Sequence, residues 1–200
     1  MAIIIKDMAL ADDLIRERDE DKTLLCYKPT YFHTEQNLAQ LIRQRLEKPV
    51  GTDIERVRDW IDRFTASREI QLSEQQRQAV ETAAYSKIMI LTGGPGVGKT
   101  FTTHTIVSLW KAMGKSIAMA APTGRAAQRL GEMTGLEAKT IHRLLEFDPR
   151  TRGFKCDSEN PLPQTTIVVD EASMLDLFLA YSLVKAVAEG AQLLLVGDID

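Results

Sequence analysis

One segment, residues 91–100, constrains the fold more than any other part of the chain. Its sequence, LTGGPGVGKT, fits the phosphate-binding pattern G-x-x-x-x-G-K-[ST], with Gly93, Gly98, Lys99 and Thr100 at the fixed positions. The apolar run before it is typical of a buried parallel strand, and the apolar residues after it recur at near-helical spacing. An ordinary glycine turn would require neither the lysine nor the threonine. The sequence therefore predicts a phosphate-binding loop within an α/β fold.

Each residue type in this loop has a chemical reason. Backbone N–H groups must come close to phosphate oxygens, and glycine permits this because it has no Cβ. The helix N-terminus adds N–H donors and partial positive charge. Lys99 is expected to reach the β- and γ-phosphates, and the Thr100 hydroxyl to bind Mg²⁺. The predicted phosphate-binding residues are Gly93, Gly94, Pro95, Gly96, Val97, Gly98, Lys99 and Thr100.

The composition is ordinary for a globular chain, with 44% hydrophobic and 26% charged residues. The net charge of −3 gives no overall basic footprint for nucleic acid, although a local groove could still bind it. Cys26 and Cys156 lie far apart, without a C-x-x-C motif, which favours reduced thiols in a cytoplasmic protein. The apolar start Met1–Ile5 is too short for a signal peptide, and no apolar run approaches the length of a membrane span.

Residues 1–70 are predicted to form a mostly helical lead-in, and residues 71–200 an ATPase domain. Residues 10–18 could form a helix and residues 23–27 a strand. Two further helices are predicted from Thr34 and from about Asp53, since apolar residues recur there at helical spacing. The simplest interpretation of these two helices is core packing without an active role.

A third helix is expected to begin at Ser73, because Ser73 and Gln76 have the spacing of a capping box. A second interpretation gives the Gln76 amide a contact with the edge of adenine, since an amide has both donors and an acceptor. Spacing alone favours the cap.

Downstream of the loop, residues 115–121 predict a second buried strand that runs into the turn Pro122–Ala127. Such a turn presents N–H groups and Thr123 at the carboxyl edge of the sheet, where ligands bind in open α/β folds. An ordinary strand-to-helix loop is the alternative. Thr140–Leu145 predicts a short helix; its His142, taken alone, is more often a surface or core histidine than a ligand contact. Residues 147–155 predict a hairpin, and residues 192–198 a last strand.

The apolar strand Thr166–Val169 ends in two carboxylates, Asp170 and Glu171. An acidic pair is weak evidence alone, because helix N-termini favour acids. Downstream of a complete phosphate loop it forms the other half of a site. Asp170 is then expected to hold Mg²⁺ through water, and Glu171 to orient or activate the attacking water.

In combination, the segments GGPGVGKT, APTGRAA, TIHRLL and VVDEASM resemble the superfamily one DNA helicases, most closely the RecD-like branch (exodeoxyribonuclease V alpha-subunit-like). The resemblance covers about residues 70–200. It implies a RecA-like parallel sheet with helices on both faces, behind a small helical segment. It also implies ATP and Mg²⁺ as cofactors, and it makes Gln76 an expected adenine contact.

The resemblance further implies 5′-to-3′ movement on single-stranded DNA and unwinding of duplexes with a 5′ overhang. The residues expected to face DNA are Pro122, Thr123, Gly124, Arg125, Thr140 and His142.

This sequence departs from the family pattern at its end. The motif that begins at Gly197–Asp200 normally continues into a glutamine that senses the γ-phosphate, and a second RecA-like domain normally follows. The chain is therefore expected to be a fragment of a longer helicase. The alternatives are another P-loop ATPase of the AAA+ kind, or a nucleotide-binding switch. The first is disfavoured by Gly197–Asp198 in place of a polar sensor, and the second by Glu171, which a switch does not need.

Overall fold

The computed structural model describes residues 14–18, 20–47, 50–94 and 96–198. Two short antiparallel strands come first, β1 (Ile15–Arg18) and β2 (Leu24–Tyr27). The helices α1 (Pro29–Leu46), α2 (Ile54–Ser67) and α3 (Glu74–Tyr85) follow. The remaining elements are β3 (Ile88–Thr92), α4 (Lys99–Ala112), β4 (Ile117–Ala121), α5 (Gly124–Thr134), β5 (Ala138–Thr140), α6 (Ile141–Leu144), β6 (Phe147–Asp148), β7 (Gly153–Phe154), β8 (Thr166–Val169), a 3₁₀ helix (Ala172–Met174), α7 (Leu177–Ala186) and β9 (Gln192–Gly197).

The predicted helix over residues 10–18 is wrong at β1, which is extended. Its residues pair with β2 in register from Ile15–Tyr27 to Arg18–Leu24, so a strand ladder overrides the helical pattern there. Residues 10–13, like Pro95, Ile199, Asp200 and the start Met1–Ile5, lie outside the described residues. The strand predicted over 23–27 is confirmed as β2, and the hairpin predicted over 147–155 is confirmed as β6 and β7.

Within the described residues, the central sheet has five parallel strands in the order β3-β9-β8-β4-β5. The strands predicted near 88–92, 116–121, 166–170 and 192–197 are confirmed as four of these. Strand β5 was not predicted. It is only three residues long, and its central Lys139 is exposed, so the sequence has no apolar run to indicate it.

Helices cover both faces of the sheet, as the predicted fold class requires. Strand β8 shows why, because Ile167 and Val169 point to one face and Val168 to the other. The first face packs against α1 and α7, through Leu38, Leu41, Ile42, Leu179, Leu183 and Val184. The second packs against α2, α3, α4 and α5, through Val57, Ile61, Val80, Ala83, Ile106, Leu109 and Leu130.

Helices α1 and α2 of the lead-in thus pack on the same sheet as the downstream helices. The guanidinium of Arg45 on α1 donates hydrogen bonds to the carbonyls of Val184, Val187 and Ala188 at the end of α7, at 3.0, 2.5 and 3.0 Å. The division of the chain near residue 70 stays a prediction. None of the helices described has both the length and the apolar character that a membrane span requires.

Because all five strands run in the same direction, their carboxyl ends meet at one edge of the sheet. Thr92 of β3 pairs with Gly197 of β9, and Ala121 of β4 pairs with Thr140 of β5. The segments that follow these strands therefore lie side by side. They contain the site residues that the sequence predicts, apart from Gln76 on α3.

Candidate functional site

The predicted phosphate loop connects β3 to α4, and other side chains lie close to two of its glycines. Gly98 has a φ of +87° and begins α4, and a Cβ there would lie 2.6 Å from Nε2 of Gln76. A Cβ on Gly93 would lie 2.7 Å from Cγ2 of Val97. Both contacts are with side chains, so the firmer requirement is the left-handed backbone of Gly98, which favours glycine.

Helix α4 begins without a side-chain cap, unlike its neighbours. The side chains of Ser73, Thr123 and Asp176 each accept an N–H of the first turn of α3, α5 and α7. Gly98 occupies the same place at α4 and makes no such bond. The first turn of α4 can therefore direct its N–H groups at an anion, which fits a phosphate.

The ammonium group of Lys99 lies inside this loop. Its Nζ donates to the carbonyls of Gly93 and Gly94, at 2.5 and 2.8 Å, and forms an ion pair with Asp198 at 2.6 Å. These three acceptors match the three N–H bonds of an ammonium group. The side chain is only 16% exposed, so its charge lies in a partly desolvated position. An arriving phosphate has to compete with Asp198 for this lysine.

Asp198 was not among the predicted site residues. It directly follows Gly197, which pairs with Thr92 at the end of the loop strand, so the carboxylate lies next to the loop. The signal that could have found it is an acid just after a strand, the same signal that indicated Asp170. It was missed because the pairing of β9 with β3 is not readable from the sequence.

We expect Asp198→Asn to bind Mg·ATP about 3- to 10-fold more tightly than the unchanged chain, since the phosphates no longer displace a charged competitor. Titration calorimetry at low salt measures this, with Asp59→Asn on the exposed face of α2 as a control of equal charge change. Weaker ATP binding by Asp198→Asn would mean that this carboxylate helps to hold the nucleotide instead.

Asp170 and Glu171 follow β8 at the same edge, as predicted. Burial raises the pKa of the Asp170 carboxyl, and the negative charge of Asp198 also raises it. The hydrogen bond from the N–H of Glu171 and the positive charge of Lys99 lower that pKa. The charges of Lys99 and Asp198 therefore both act on the Asp170 carboxyl. Glu171 has a φ of +55°, a left-handed conformation that is strained for any residue except glycine.

The donor set at this edge fits Mg²⁺ chemically. Thr100 lies exposed in the first turn of α4, and Asp170 supplies a carboxylate from the end of β8. Hydroxyl and carboxylate oxygens are hard ligands, and Mg²⁺ usually takes one or two carboxylates together with phosphates and water. Thr100 and Asp170 could therefore hold the ion once phosphates are present.

Gln76 makes the capping box that the spacing predicts. Its Oε1 accepts from the N–H of Ser73 at 3.0 Å, and the hydroxyl of Ser73 accepts from the N–H of Gln76 at 3.2 Å. The same side chain also reaches the loop, where Nε2 donates to the carbonyl of Val97 at 3.4 Å. The cap is thus confirmed, and it places the amide against the phosphate loop. The adenine contact stays a prediction.

Of the residues predicted to face DNA, the first group lies at the start of α5. Thr123 caps that helix, since its hydroxyl accepts from the N–H of Ala126 at 3.2 Å. Gly124 and Arg125 are exposed, and Pro122 is half-buried. Thr123 therefore has a structural role, whereas Arg125 offers an exposed charge.

The second group follows β5, which neighbours β4. Thr140 caps α6 by accepting from the N–H of Arg143 at 3.3 Å. His142 is exposed, and its ring lies 5.6 Å from the rings of Phe147 and Phe154 on the hairpin. The two groups therefore share one edge of the sheet, and the second continues into an aromatic cluster.

A family model described as an AAA domain matches residues 76–200. The chain belongs to the AAA domain family. Within it the chain is RecD-like, as the motifs indicated. It is 41% identical over 178 residues to the ATP-dependent RecD2 DNA helicase of Deinococcus radiodurans, covering 87% of this chain and 24% of that protein.

The RecD subunit of the RecBCD enzyme from Mycobacterium tuberculosis is also 41% identical, over 150 residues that cover 64% of this chain and 26% of that subunit. The solved structure of the Pif1 helicase from Candida albicans aligns with a TM-score of 0.45 and 23% identity, over 64% of this chain and 33% of that one. This AAA-domain chain spans about a quarter of the length of the curated relatives that it matches.

Proposed function

We propose that this chain is the ATP-binding part of a DNA helicase motor, which couples ATP hydrolysis to 5′-to-3′ movement on single-stranded DNA. The observation that carries the proposal is that Lys99, in the loop after β3, and Asp170, directly after β8, lie at the same edge of the sheet. Strands β3 and β8 are separated there only by β9, and Asp198, which directly follows β9, contacts the lysine. Curated relatives of this chain are named as helicases, which supports DNA as the track.

Each site residue has a proposed role in ATP hydrolysis. The loop from Gly93 to Gly98 and the first turn of α4 bind the phosphates, and Lys99 neutralises the β- and γ-phosphate charge. Thr100 and Asp170 hold Mg²⁺, which neutralises further charge on the phosphates. Glu171 orients the attacking water and accepts its proton.

The proposed DNA surface lies along the ends of β4 and β5. Arg125 contacts backbone phosphate, and Thr123 and Thr140, which cap α5 and α6, lie beside it along the same path. His142 and the neighbouring Phe147 offer rings on which bases can stack. We propose single-stranded DNA, and duplexes with a 5′ overhang, as substrates of the motor. The cytoplasm is the proposed location, which the free thiols of Cys26 and Cys156 support.

The test of this function separates nucleotide binding from DNA binding, since the chain spans only part of the length of its relatives. Titration calorimetry measures binding of Mg·ATP, and a phosphate-release assay measures turnover with and without single-stranded DNA. We expect Mg·ATP binding and slow turnover. A chain that is folded by circular dichroism but binds no Mg·ATP would refute the proposal.

Arg125→Ala is expected to weaken binding of single-stranded DNA about 3- to 10-fold at low salt and to leave Mg·ATP binding unchanged. Losing one phosphate contact also reduces the salt dependence, so the deficit shrinks as salt rises. Arg129→Ala on the same helix is the matched control, because Arg129 is exposed but lies a turn further from the sheet edge. Equal DNA binding by Arg125→Ala and the unchanged chain would place the DNA elsewhere.

A further inference from the structure

Five charged side chains, alternately acidic and basic, lie along the contact between α2 and α3. Glu55, Arg58 and Asp62 belong to α2, and Arg77 and Glu81 belong to α3. Two ion pairs cross from one helix to the other, Arg58 with Glu81 at 3.2 Å and Arg77 with Asp62 at 2.7 Å. Two more lie within a helix, Arg58 with Glu55 at 3.1 Å and Arg77 with Glu81 at 3.4 Å. The pairs thus form one continuous network.

The centre of this network is the carboxylate of Glu81. Its Oε2 faces Nε of Arg58, and its Oε1 faces Nε of Arg77. The Glu81 side chain is only 17% exposed. An isolated pair on an open surface contributes little because water and salt screen it, but a covered carboxylate between two guanidiniums is screened less. These contacts therefore resist a relative movement of α2 and α3.

Arg77 connects the network to the first turn of α3, since it directly follows Gln76. Its Nη1 donates to Oδ1 of Asp62, and this hydrogen bond lowers the pKa of the Asp62 carboxyl. Asp62 comes one residue after Ile61, which is fully buried in the core. The acceptor therefore lies on an anchored helix, and the pair holds the beginning of α3 against α2.

The contact between Gln76 and the phosphate loop is long, so it depends on where α3 lies. Nε2 of Gln76 donates to the carbonyl of Val97 at 3.4 Å, which is longer than a typical hydrogen bond. The same atom lies 2.6 Å from the place of a Cβ on Gly98, so the amide packs directly on the loop. A small shift of α3 away from the loop therefore breaks this contact.

The Val97 carbonyl matters because it belongs to a loop peptide. The peptide bond between Val97 and Gly98 is planar and trans, so its C=O and N–H point in opposite directions. A carbonyl held toward Gln76 thus directs the N–H of Gly98 away from Gln76. Glycine rotates freely, so the contact restricts a peptide that would otherwise have several orientations. In the proposed function, this N–H belongs to the loop that binds the phosphates.

We propose that Arg77 is a positioning residue for phosphate binding, and that α2 of the lead-in acts on the loop through Arg58 and Asp62. Arg77 keeps the first turn of α3 in place, and Gln76 transmits that position to the loop. The inference rests on the proposed function, since the loop must bind phosphates for its geometry to matter. Helix α2 lies before residue 76, where the family match begins. The lead-in then contributes to phosphate binding as well as to core packing.

The experiment measures binding of magnesium tripolyphosphate, which has no base, and of Mg·ATP by titration calorimetry on this chain. The variants are Arg77→Gln, Arg77→Lys, Asp62→Asn and the double variant Asp62→Asn/Arg77→Gln. Asp59→Asn is the control, because Asp59 is exposed on the same helix and the charge changes equally. Thermal melting shows that each variant is folded, and titrations are made well below the lowest melting temperature. The amide resonance of Gly98 in the free chain reports the geometry of the loop.

Arg77→Gln and Asp62→Asn should each weaken binding of both ligands by about 3- to 10-fold, since the phosphate donors lose their orientation. The double variant should bind within about 2-fold of Arg77→Gln, because the two residues act through one pair. Arg77→Lys should recover part of the affinity, since it keeps the charge but cannot span both carboxylates. The Gly98 resonance should shift in Arg77→Gln and stay in place in Asp59→Asn.

Unchanged affinity for both ligands in Arg77→Gln, with only a lower melting temperature, would overturn the proposal and leave the network a purely structural role. Weaker binding of ATP alone would also overturn it, because the effect would then concern the base. Additive losses in the double variant would contradict a joint action of Asp62 and Arg77. Failure of the unchanged chain to bind either ligand would instead refute the proposed function, and the Gly98 resonance would still test the positioning of the loop.

Discussion

Lys99→Ala is expected to abolish ATP turnover and to weaken Mg·ATP binding by about 100-fold or more, the largest effect of any single substitution in this chain. Its ammonium is the cation within the loop, held by Gly93 and Gly94 and paired with Asp198. Without it, the carboxylate of Asp198 faces the arriving phosphates unpaired. In the variant, the Asp198 carboxylate repels the phosphates, whereas in the unchanged chain the Lys99 ammonium attracts them. The loss of binding affinity therefore exceeds that of one hydrogen bond.

Titration calorimetry and phosphate release measure this loss, and Lys139→Ala is the control. Lys139 on β5 is half-exposed and forms an ion pair with Glu137, just before that strand, at 3.6 Å. Its removal therefore changes the net charge equally without touching the loop. Adding Asp198→Asn to Lys99→Ala should restore part of the affinity, because the repelling charge is gone. Normal ATP binding by Lys99→Ala would show that the lysine contacts no phosphate.

The phosphate loop could be predicted because its information is local. Gly93, Gly98, Lys99 and Thr100 lie within eight consecutive residues, and the strand and helix around them follow from short apolar patterns. The capping box of Ser73 and Gln76 is local in the same sense. Such features need no knowledge of which strands are neighbours.

The contact between Lys99 and Asp198 depends on the sheet. The two residues are far apart in sequence, and they meet because β9 lies between β3 and β8 in the strand order. A cavity of about 440 Å³ beside the loop has the same origin, since Phe64, Arg68 and Phe101 come to line it only through the packing of α2 on the sheet face. Tertiary arrangement of this kind leaves no periodic signal in the sequence.

The error at β1 has a related cause. Ile15–Arg18 has no strand-like alternation of its own and is extended because it pairs with β2. The strand β2, with the apolar residues Leu24 and Leu25 before Pro29, carried the local signal and was predicted. One partner of a hairpin can thus be recognisable while the other takes its conformation from the pairing.

Glu171→Gln is expected to bind Mg·ATP within about 2- to 3-fold of the unchanged chain and to lose about 10²- to 10⁴-fold of its hydrolysis rate. The amide has nearly the same size as the carboxylate, but it cannot accept the proton of the attacking water. Both side chains would occupy the same left-handed backbone position, at a φ of +55°, so the substitution leaves the local strain unchanged. Single-turnover phosphate release, together with calorimetry, separates the two quantities.

Glu146 offers a matched control for this substitution. It is also a glutamate at a φ of +55°, but it lies exposed after α6 and pairs only loosely with Lys155, at 3.8 Å. Glu146→Gln should therefore leave hydrolysis unchanged.

Glu171→Gly completes the comparison, because glycine relieves strain of about 1 kcal/mol and removes the carboxylate. If the chemistry resides in the carboxylate, Glu171→Gly raises the melting temperature yet hydrolyses ATP as slowly as Glu171→Gln. Rapid hydrolysis by either variant would mean that another group activates the water, and that the strained backbone at the end of β8 serves a different purpose.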